Sequence, residues 1–261
     1  EERKKEDLHK QYIQIEFPSL YDQKKNEREL LSVFAEELES VLSRSDIAAI
    51  VTEAGIISGY GSTRIAPQGF LSIVRKLTEK YGTLMILDEV GTGFSRCGGL
   101  FGMNLENTVP DIVTFAKGAT NGAAVLGTMV TTRKIAAETI DKANLISTFG
   151  WTPLSCAVAL RTLELHQELK LWEKSAHDGT YLVERLRAEL KDDSRVTYIA
   201  GKGLLVGVHI TNPSDKPLVI DVVTKAQKNG LHIVCDRDST IQLMPPLTTS
   251  RSVLNKGIDI L

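Results

Sequence analysis

The stretch TLMILDEVGTGF, residues 83–94, decides how the rest of the chain is read. Mostly apolar residues run into Asp88-Glu89, and Gly91 and Gly93 punctuate the turn that follows at once. A short apolar run closed by turn residues reads as a buried strand. Buried strands that end in a carboxylate occur in two different machines. One is a nucleotide hydrolase, where the acid holds magnesium; the other is an enzyme whose acid grips the ring nitrogen of a bound cofactor.

The hydrolase reading needs a G-x-x-x-x-G-K-[ST] loop to cradle phosphates. None is present: Gly201-Lys202 runs into Gly203, and Val196 stands where the first glycine belongs. The next apolar run separates the two machines. PDIVTFAKGATNG (110–122) ends in Lys117, set immediately before Gly118 and small residues. A lysine leaving a buried strand end for a Gly-rich loop is costly unless it has a task, and desolvation favours its free, nucleophilic amine. Pyridoxal phosphate chemistry needs such an amine for its internal Schiff base, and a carboxylate to keep the pyridine nitrogen protonated. Asp88 and Lys117 supply both parts.

The chain around these two residues has the ordinary make-up of a globular protein. It has 261 residues, enough for one large domain or two smaller ones, with 42% hydrophobic and 25% charged residues. A net charge of -2 gives no general pull toward nucleic acid or membrane. No apolar stretch is long enough to span a bilayer as a helix. Cys97, Cys156 and Cys235 are few and far apart, so no disulfide framework is expected. The histidines at 9, 166, 177, 209 and 232 lack H-x-x-x-H spacing, and no metal site is expected. The chain begins Glu1-Glu2-Arg3-Lys4-Lys5 without Met and ends at Leu261 within an apolar helical rhythm, as expected of a truncated or processed product. No signal peptide is visible, and a cytoplasmic location is expected.

Along the chain, residues 1–28 are polar apart from Tyr12-Ile13-Gln14-Ile15. Apolar residues at 30, 34, 38 and 41, flanked by 31, 33 and 42, draw a helical stripe. IAAIVT (47–52) reads as a strand covered on both faces, followed by a Gly-rich loop, a helix over 68–80, and the strand ending at Asp88. DIVTF (111–115) and GTMVTT (127–132) are two further strands, and the alternation suggests a parallel α/β sheet with its site at the carboxyl strand ends. Thr152-Pro153 reads as a helix cap followed by Pro at the first helical position, with apolar periodicity to about Leu169. A second helix covers 172–190. Beyond it VTYIA, LLVGVHI, a helix from Pro217 to Asn229, LHIVC and TIQLM read as a smaller α+β unit. The division is placed at residue 165: 1–165 a cofactor-binding large domain, 166–261 a smaller C-terminal one.

The motifs ILDEVGTGFSRCGGLFG, PDIVTFAKG, STFGWTPLSCAVALRTLE, GKGLLVGVHI and LMPPLT together resemble the class III (ornithine/GABA/ω-amino acid) aminotransferases, in that family's order and spacing from about Ile47 onward. The resemblance implies the α/β fold of the type I pyridoxal-phosphate enzymes, with a mostly parallel sheet. It implies homodimers that share active sites, and ping-pong transfer of an amino group from an amine or amino acid to a 2-oxo acid. Lys117 becomes the Schiff-base lysine and proton shuttle, Asp88 the pyridine partner, and Val90 a residue packed on the ring. Thr148, with Ser147 beside it, becomes a binder of the phosphate of the neighbouring subunit's cofactor.

The departures from the family's pattern are specific. Gly91 stands where the family commonly has Gln, and Glu53-Ala54 where it has Glu-Pro, with a slightly longer loop behind. Gln242 stands where ornithine/GABA-type members carry a carboxylate-binding Arg, with Arg237 nearby as a substitute. Glu53, Arg237 and Gln242 are therefore the substrate-site candidates. The family's upstream phosphate loop and ring-stacking aromatic are not found before Ile47. Other chemistry of the same cofactor (racemase, decarboxylase, aminomutase) and a fragment that binds no cofactor remain alternative readings. Taken singly, Asp88 reads as a strand-end cap, Lys117 as a surface lysine, Thr148 as a loop residue and Arg237 as an exposed turn.

Overall fold

Helix α1 (Glu27–Leu42) opens with a reciprocal cap: Asn26 Oδ1 accepts the Glu29 N–H at 3.0 Å, and a Glu29 carboxylate oxygen accepts the Asn26 N–H at 2.9 Å. Its buried residues are Leu30, Phe34, Leu38 and Leu42. The stripe thus ends at Leu42 rather than Val41, and Val33 is exposed. Full burial of such side chains contributes about 1.5–3 kcal/mol each. The computed structural model describes residues 12–21, 25–140, 142, 147–211 and 218–261. Helix α2 (Phe70–Tyr81) packs on α1 between two left-handed glycines, Gly69 at φ 101° and Gly82 at φ 68°.

Both helices cover a four-stranded sheet in the order β1 (Ala49–Glu53), β4 (Leu84–Asp88), β5 (Ile112–Phe115) and β6 (Thr128–Thr131). The first three strands are parallel. The fourth departs from the parallel expectation: β6 pairs antiparallel with β5. The reason lies in the connection. Between Phe115 and Thr128 the chain makes only a short 3-10 turn at Lys117–Ala119, and a parallel return needs a crossover of a dozen or more residues, usually a helix. The expectation that residues 47–52 are covered on both faces also fails. Among the described residues β1 is an edge strand, and Val51 is 66% exposed. A small hairpin, β2 (Ile56–Ile57) with β3 (Arg64–Ile65), rises from the loop after β1.

Helix α3 (Arg133–Thr139) follows the sheet, and helix α4 (Pro153–Glu168) comes next. Thr152 does not cap α4 as expected, because its hydroxyl donates to the Phe149 carbonyl at 2.7 Å. Nor does the apolar periodicity of α4 point inward: its buried residues are Ser155, Thr162 and His166, while Leu154 and Leu160 are exposed.

Helix α5 (Leu171–Glu189) leads into a second, antiparallel sheet in the order β7 (Val196–Lys202), β8 (Leu205–Ile210), β10 (Thr240–Leu243), β9 (Val234–Cys235). Helices α6 (Leu218–Lys228) and α7 (Arg251–Ile260) join α5 around it, and β8 is buried throughout. Pro217, the expected start of α6, lies outside the described residues. The α5 backbone comes so close to the β7–β8 turn that a Cβ on Gly179 would lie 1.9 Å from the Gly203 carbonyl oxygen. A cluster of Ile56, Ile65, Cys97, Ala200 and Leu205 joins residues near the first sheet to the second. Among the described residues, no helix is long and apolar enough to cross a membrane.

Candidate functional site

Three strand ends converge. Glu53 stands opposite Asp88 in the β1–β4 register, and Asp88 opposite Thr114 in the β4–β5 register. The chain turns immediately after Phe115, which puts Lys117 just beyond the carboxyl ends of the strands, where open α/β sheets bind ligands. Lys117 has φ 40°, a left-handed conformation that costs a residue with a Cβ roughly 1–2 kcal/mol. Strain of this kind clusters at functional sites.

Successive side chains along a strand point to opposite faces, and Asp88 and Glu89 do different work. Asp88 is half-buried, and its Oδ1 accepts the Val90 N–H at 2.8 Å. Glu89 is buried; it accepts the Thr92 hydroxyl at 2.8 Å and the N–H groups of Gly102 and Met103 at 2.7 and 2.6 Å. Burial pushes the Glu89 carboxyl up, and these three bonds pull it back. Glu89 therefore anchors the loop that follows the strand.

On the neighbouring strand, Glu53 accepts the Ser58 N–H on both oxygens, at 3.0 and 3.1 Å, and the Ser58 hydroxyl at 2.5 Å. Burial pushes the Glu53 carboxyl up and the Ser58 bonds pull it down; Asp88 raises it and Lys117 lowers it. Asp88 and Lys117 thus both act on this one carboxyl group.

A cavity of about 550 Å³ opens at these strand ends, with Ser58, Tyr60, Val90, Arg96, Lys117 and Gln242 in its wall. Gln242, on β10, directs its Nε2 at the carbonyls of Ser62 (2.5 Å) and Ser58 (3.2 Å) and at the Thr63 hydroxyl (3.2 Å). Its amide is therefore committed to holding the loop after β2. Arg96 Nη1 donates to the carbonyls of Leu204 (3.0 Å) and Pro245 (2.7 Å), joining the loop after β4 to the β7–β8 turn and to the segment after β10. His166 closes another part of the wall, with Nδ1 2.7 Å from the Ser95 hydroxyl, and burial pulls its imidazole down.

Of the sequence candidates, Val90, Lys117 and Gln242 line the cavity, and Glu53 and Asp88 stand side by side at the strand ends next to it without lining it. The structure does not bring the other candidates to the cavity wall. Arg237 is exposed at φ 72° in the turn between β9 and β10. That turn is fixed by Asp236, whose Oδ1 accepts the N–H groups of Asp238, Ser239 and Thr240. Ser147 and Thr148 lie on the surface ahead of α4, beside exposed Phe149 and Trp151. Sequence reasoning passed over Ser58, Glu89, Arg96 and His166. Glu89 carried a signal, an acid beside a strand-end acid before a Gly-rich turn; the other three carried none that a single sequence displays.

Comparison with known proteins gives a consistent picture. The family model described as aminotransferase class-III matches residues 3–261. The chain is 34% identical over 216 residues to the acetylornithine aminotransferase of Methanosarcina mazei, covering 83% of this chain and 51% of that protein. It is 32% identical over 269 residues to the adenosylmethionine-8-amino-7-oxononanoate aminotransferase of Staphylococcus aureus, covering 97% and 59%. Among solved structures, an (S)-enantioselective omega-transaminase from Thermomicrobium roseum superposes with a TM-score of 0.83 at 34% identity, over 93% of this chain and 57% of that one. The ornithine aminotransferase of Plasmodium yoelii gives 0.81 at 29%, over 87% and 59%. The chain spans about half the length of the curated relatives it matches.

Proposed function

The chain belongs to the class-III aminotransferase family, and from that premise we propose that it carries the lysine and ring-nitrogen acid of a pyridoxal-phosphate-dependent aminotransferase. The proposed reaction moves an amino group from an amine or amino acid to a 2-oxo acid. One observation carries the reading: Asp88 and Lys117 stand at the carboxyl ends of adjacent parallel strands, with Glu53 opposite Asp88 in the register.

The residues present suit the cofactor. The cavity holds an amine on its wall, offers the backbone of Gly59, Gly61 and Gly118 without side chains, and falls in the size range of small-ligand sites. When bound, pyridoxal phosphate supplies an aldehyde that condenses with amines and a protonated ring that accepts electrons. Lys117 would hold the aldehyde carbon through its Nζ and, once released, move a proton at the substrate's α-carbon. Asp88, with one oxygen already fixed by Val90, would hold the ring proton with the other. Val90, in the cavity wall, would pack on the ring face. Ser147 and Thr148 would meet a phosphate across a subunit interface. Exposed Phe149, Trp151, Leu154 and Val125 support such pairing, and the Ser155 hydroxyl bonded to the Val125 carbonyl at 2.9 Å sets the start of α4 beside Val125. A cytoplasmic homodimer is part of the same proposal.

Borohydride reduction of the full-length protein with pyridoxal phosphate, read by peptide mass spectrometry, tests the reading. The adduct is expected on the peptide that contains Lys117 and should be lost in Lys117→Ala. An undiminished adduct in that variant overturns it. Transfer of labelled nitrogen from an amino donor to a 2-oxo acid separates amino transfer from other chemistry of the same cofactor.

A further inference from the structure

The absence of a side chain at Gly91 has a local cause. A Cβ there would lie 2.1 Å from Ser58 Oγ and 3.2 Å from Ser58 Cβ, and 3.5 Å from Glu53 Oε2. Gly91 is not in a left-handed conformation, so its backbone tolerates a side chain and only the volume forbids one. The hydroxyl in that volume is the one bonded to Glu53 at 2.5 Å. On its other side, Ser58 is held through its carbonyl by Gln242, which lies 184 residues further along the chain. Gly61, at φ 82°, pins the same loop a third time, since a Cβ on it would come within 2.4 Å of the Cys235 carbonyl. The unusual residues 91 and 242 are thus parts of one assembly, and Ser58 is its centre.

Building on the function proposed above, the geometry points to Ser58 as the positioning residue for Glu53: its hydroxyl fills the space of a residue-91 side chain and from there holds the Glu53 carboxylate beside Asp88 and Lys117. Three titratable groups act on or with that carboxylate: Asp88 on β4, Lys117 after β5, and Cys97, whose thiol burial pushes up. The hydroxyl bond favours the charged carboxylate, so its removal lets Glu53 take up a proton at higher pH.

The test exchanges the two residues in the full-length protein, without cofactor. The Glu53 carboxyl is followed by carbon NMR in glutamate-labelled protein and assigned with Glu53→Gln. Ser58→Gly is expected to move the Glu53 titration to higher pH, and Ser58→Ala gives the same readout should the glycine loosen the loop. Gly91→Ser alone is expected to lower Tm by roughly 5 °C, because two side chains contend for one volume. The swapped pair, Ser58→Gly with Gly91→Ser, is expected to recover Tm and to return the titration toward the original. An unmoved Glu53 titration in both Ser58 variants, or a swapped pair no more stable than Gly91→Ser, overturns the assignment. Neither measurement involves the cofactor, so failure of the Lys117 adduct would bear on the function alone.

Discussion

Glu53 and Asp88 stand opposite each other at the ends of two parallel strands, and each accepts a backbone N–H from a few residues further along its own chain: Ser58, just after β2, for Glu53 and Val90 for Asp88. Burial pushes the Glu53 carboxyl up, and the neighbouring Asp88 adds to the shift. A carboxyl raised in the folded state binds more protons there than in the unfolded chain. Its contribution is therefore most favourable below the unfolded value and is lost as pH rises toward the raised one. Urea unfolding between about pH 4 and about pH 7 should show the protein losing more stability than Glu53→Gln over the same window. Equal slopes would show that Glu53 titrates alike in both states.

Asp88→Asn keeps an oxygen to accept the Val90 N–H and removes only the charge. Thermal stability should stay close to that of the unaltered protein. In the full-length protein the proposed amino transfer should fall about 100-fold or more, the scale on which proton-handling groups contribute. Turnover within about threefold of the original would rule out Asp88 as the ring-nitrogen acid.

Glu89→Ala withdraws the acceptor from three donors at once: the Thr92 hydroxyl and the N–H groups of Gly102 and Met103. Buried donors left unpaired cost about 1–3 kcal/mol each, partly recovered by water entering the gap. A loss of about 2–4 kcal/mol is expected from chemical denaturation. Glu89→Gln should recover part of it, because an amide oxygen in place of Oε2 keeps the Thr92 and Gly102 bonds and only the Met103 N–H then meets N–H.

Gly179→Ala adds one methyl group to α5 where the Gly203 carbonyl leaves no room. Backbone stands on both sides of the contact, so neither partner gives way cheaply. A cost of about 3 kcal/mol, at the upper end for overpacking, is expected, with a clear drop in Tm. Gly82→Ala makes a useful contrast, because no atom lies within 4 Å of a Cβ there and only its φ of 68° opposes the change.

The nearness of Asp88 and Lys117 is legible in the sequence because each follows a short apolar run, and neighbouring parallel strands put the ends of such runs on one side of the sheet. Lys117 is nevertheless exposed there rather than desolvated. The second sheet is legible because its strands, glycine turns and helix alternate in plain order. The direction of β6 was obscured because a strand's composition says nothing of its polarity; the helix-free connection from Phe115 to Thr128 determines that. The outward face of α4 misleads a periodicity reading, since its apolar residues do not mark its buried side. Gly91 and Gln242 look like isolated departures in a linear reading, and Ser58 carries no signal in it. Their relation depends on contacts across 184 residues, which no local pattern encodes. Arg237 shows the converse, since nearness in sequence to β10 does not carry it to the cavity.

Arg96 also sets a schedule. Its guanidinium closes the cavity wall by gripping carbonyls at Leu204 and Pro245, both contributed long after Asp88 and Lys117 along the chain. During synthesis Asp88 and Lys117 emerge first, and the wall stays open until residue 245 has left the ribosome. A small aldehyde present at that stage would meet a half-built pocket, and under the function proposed above cofactor capture would follow the completion of that wall.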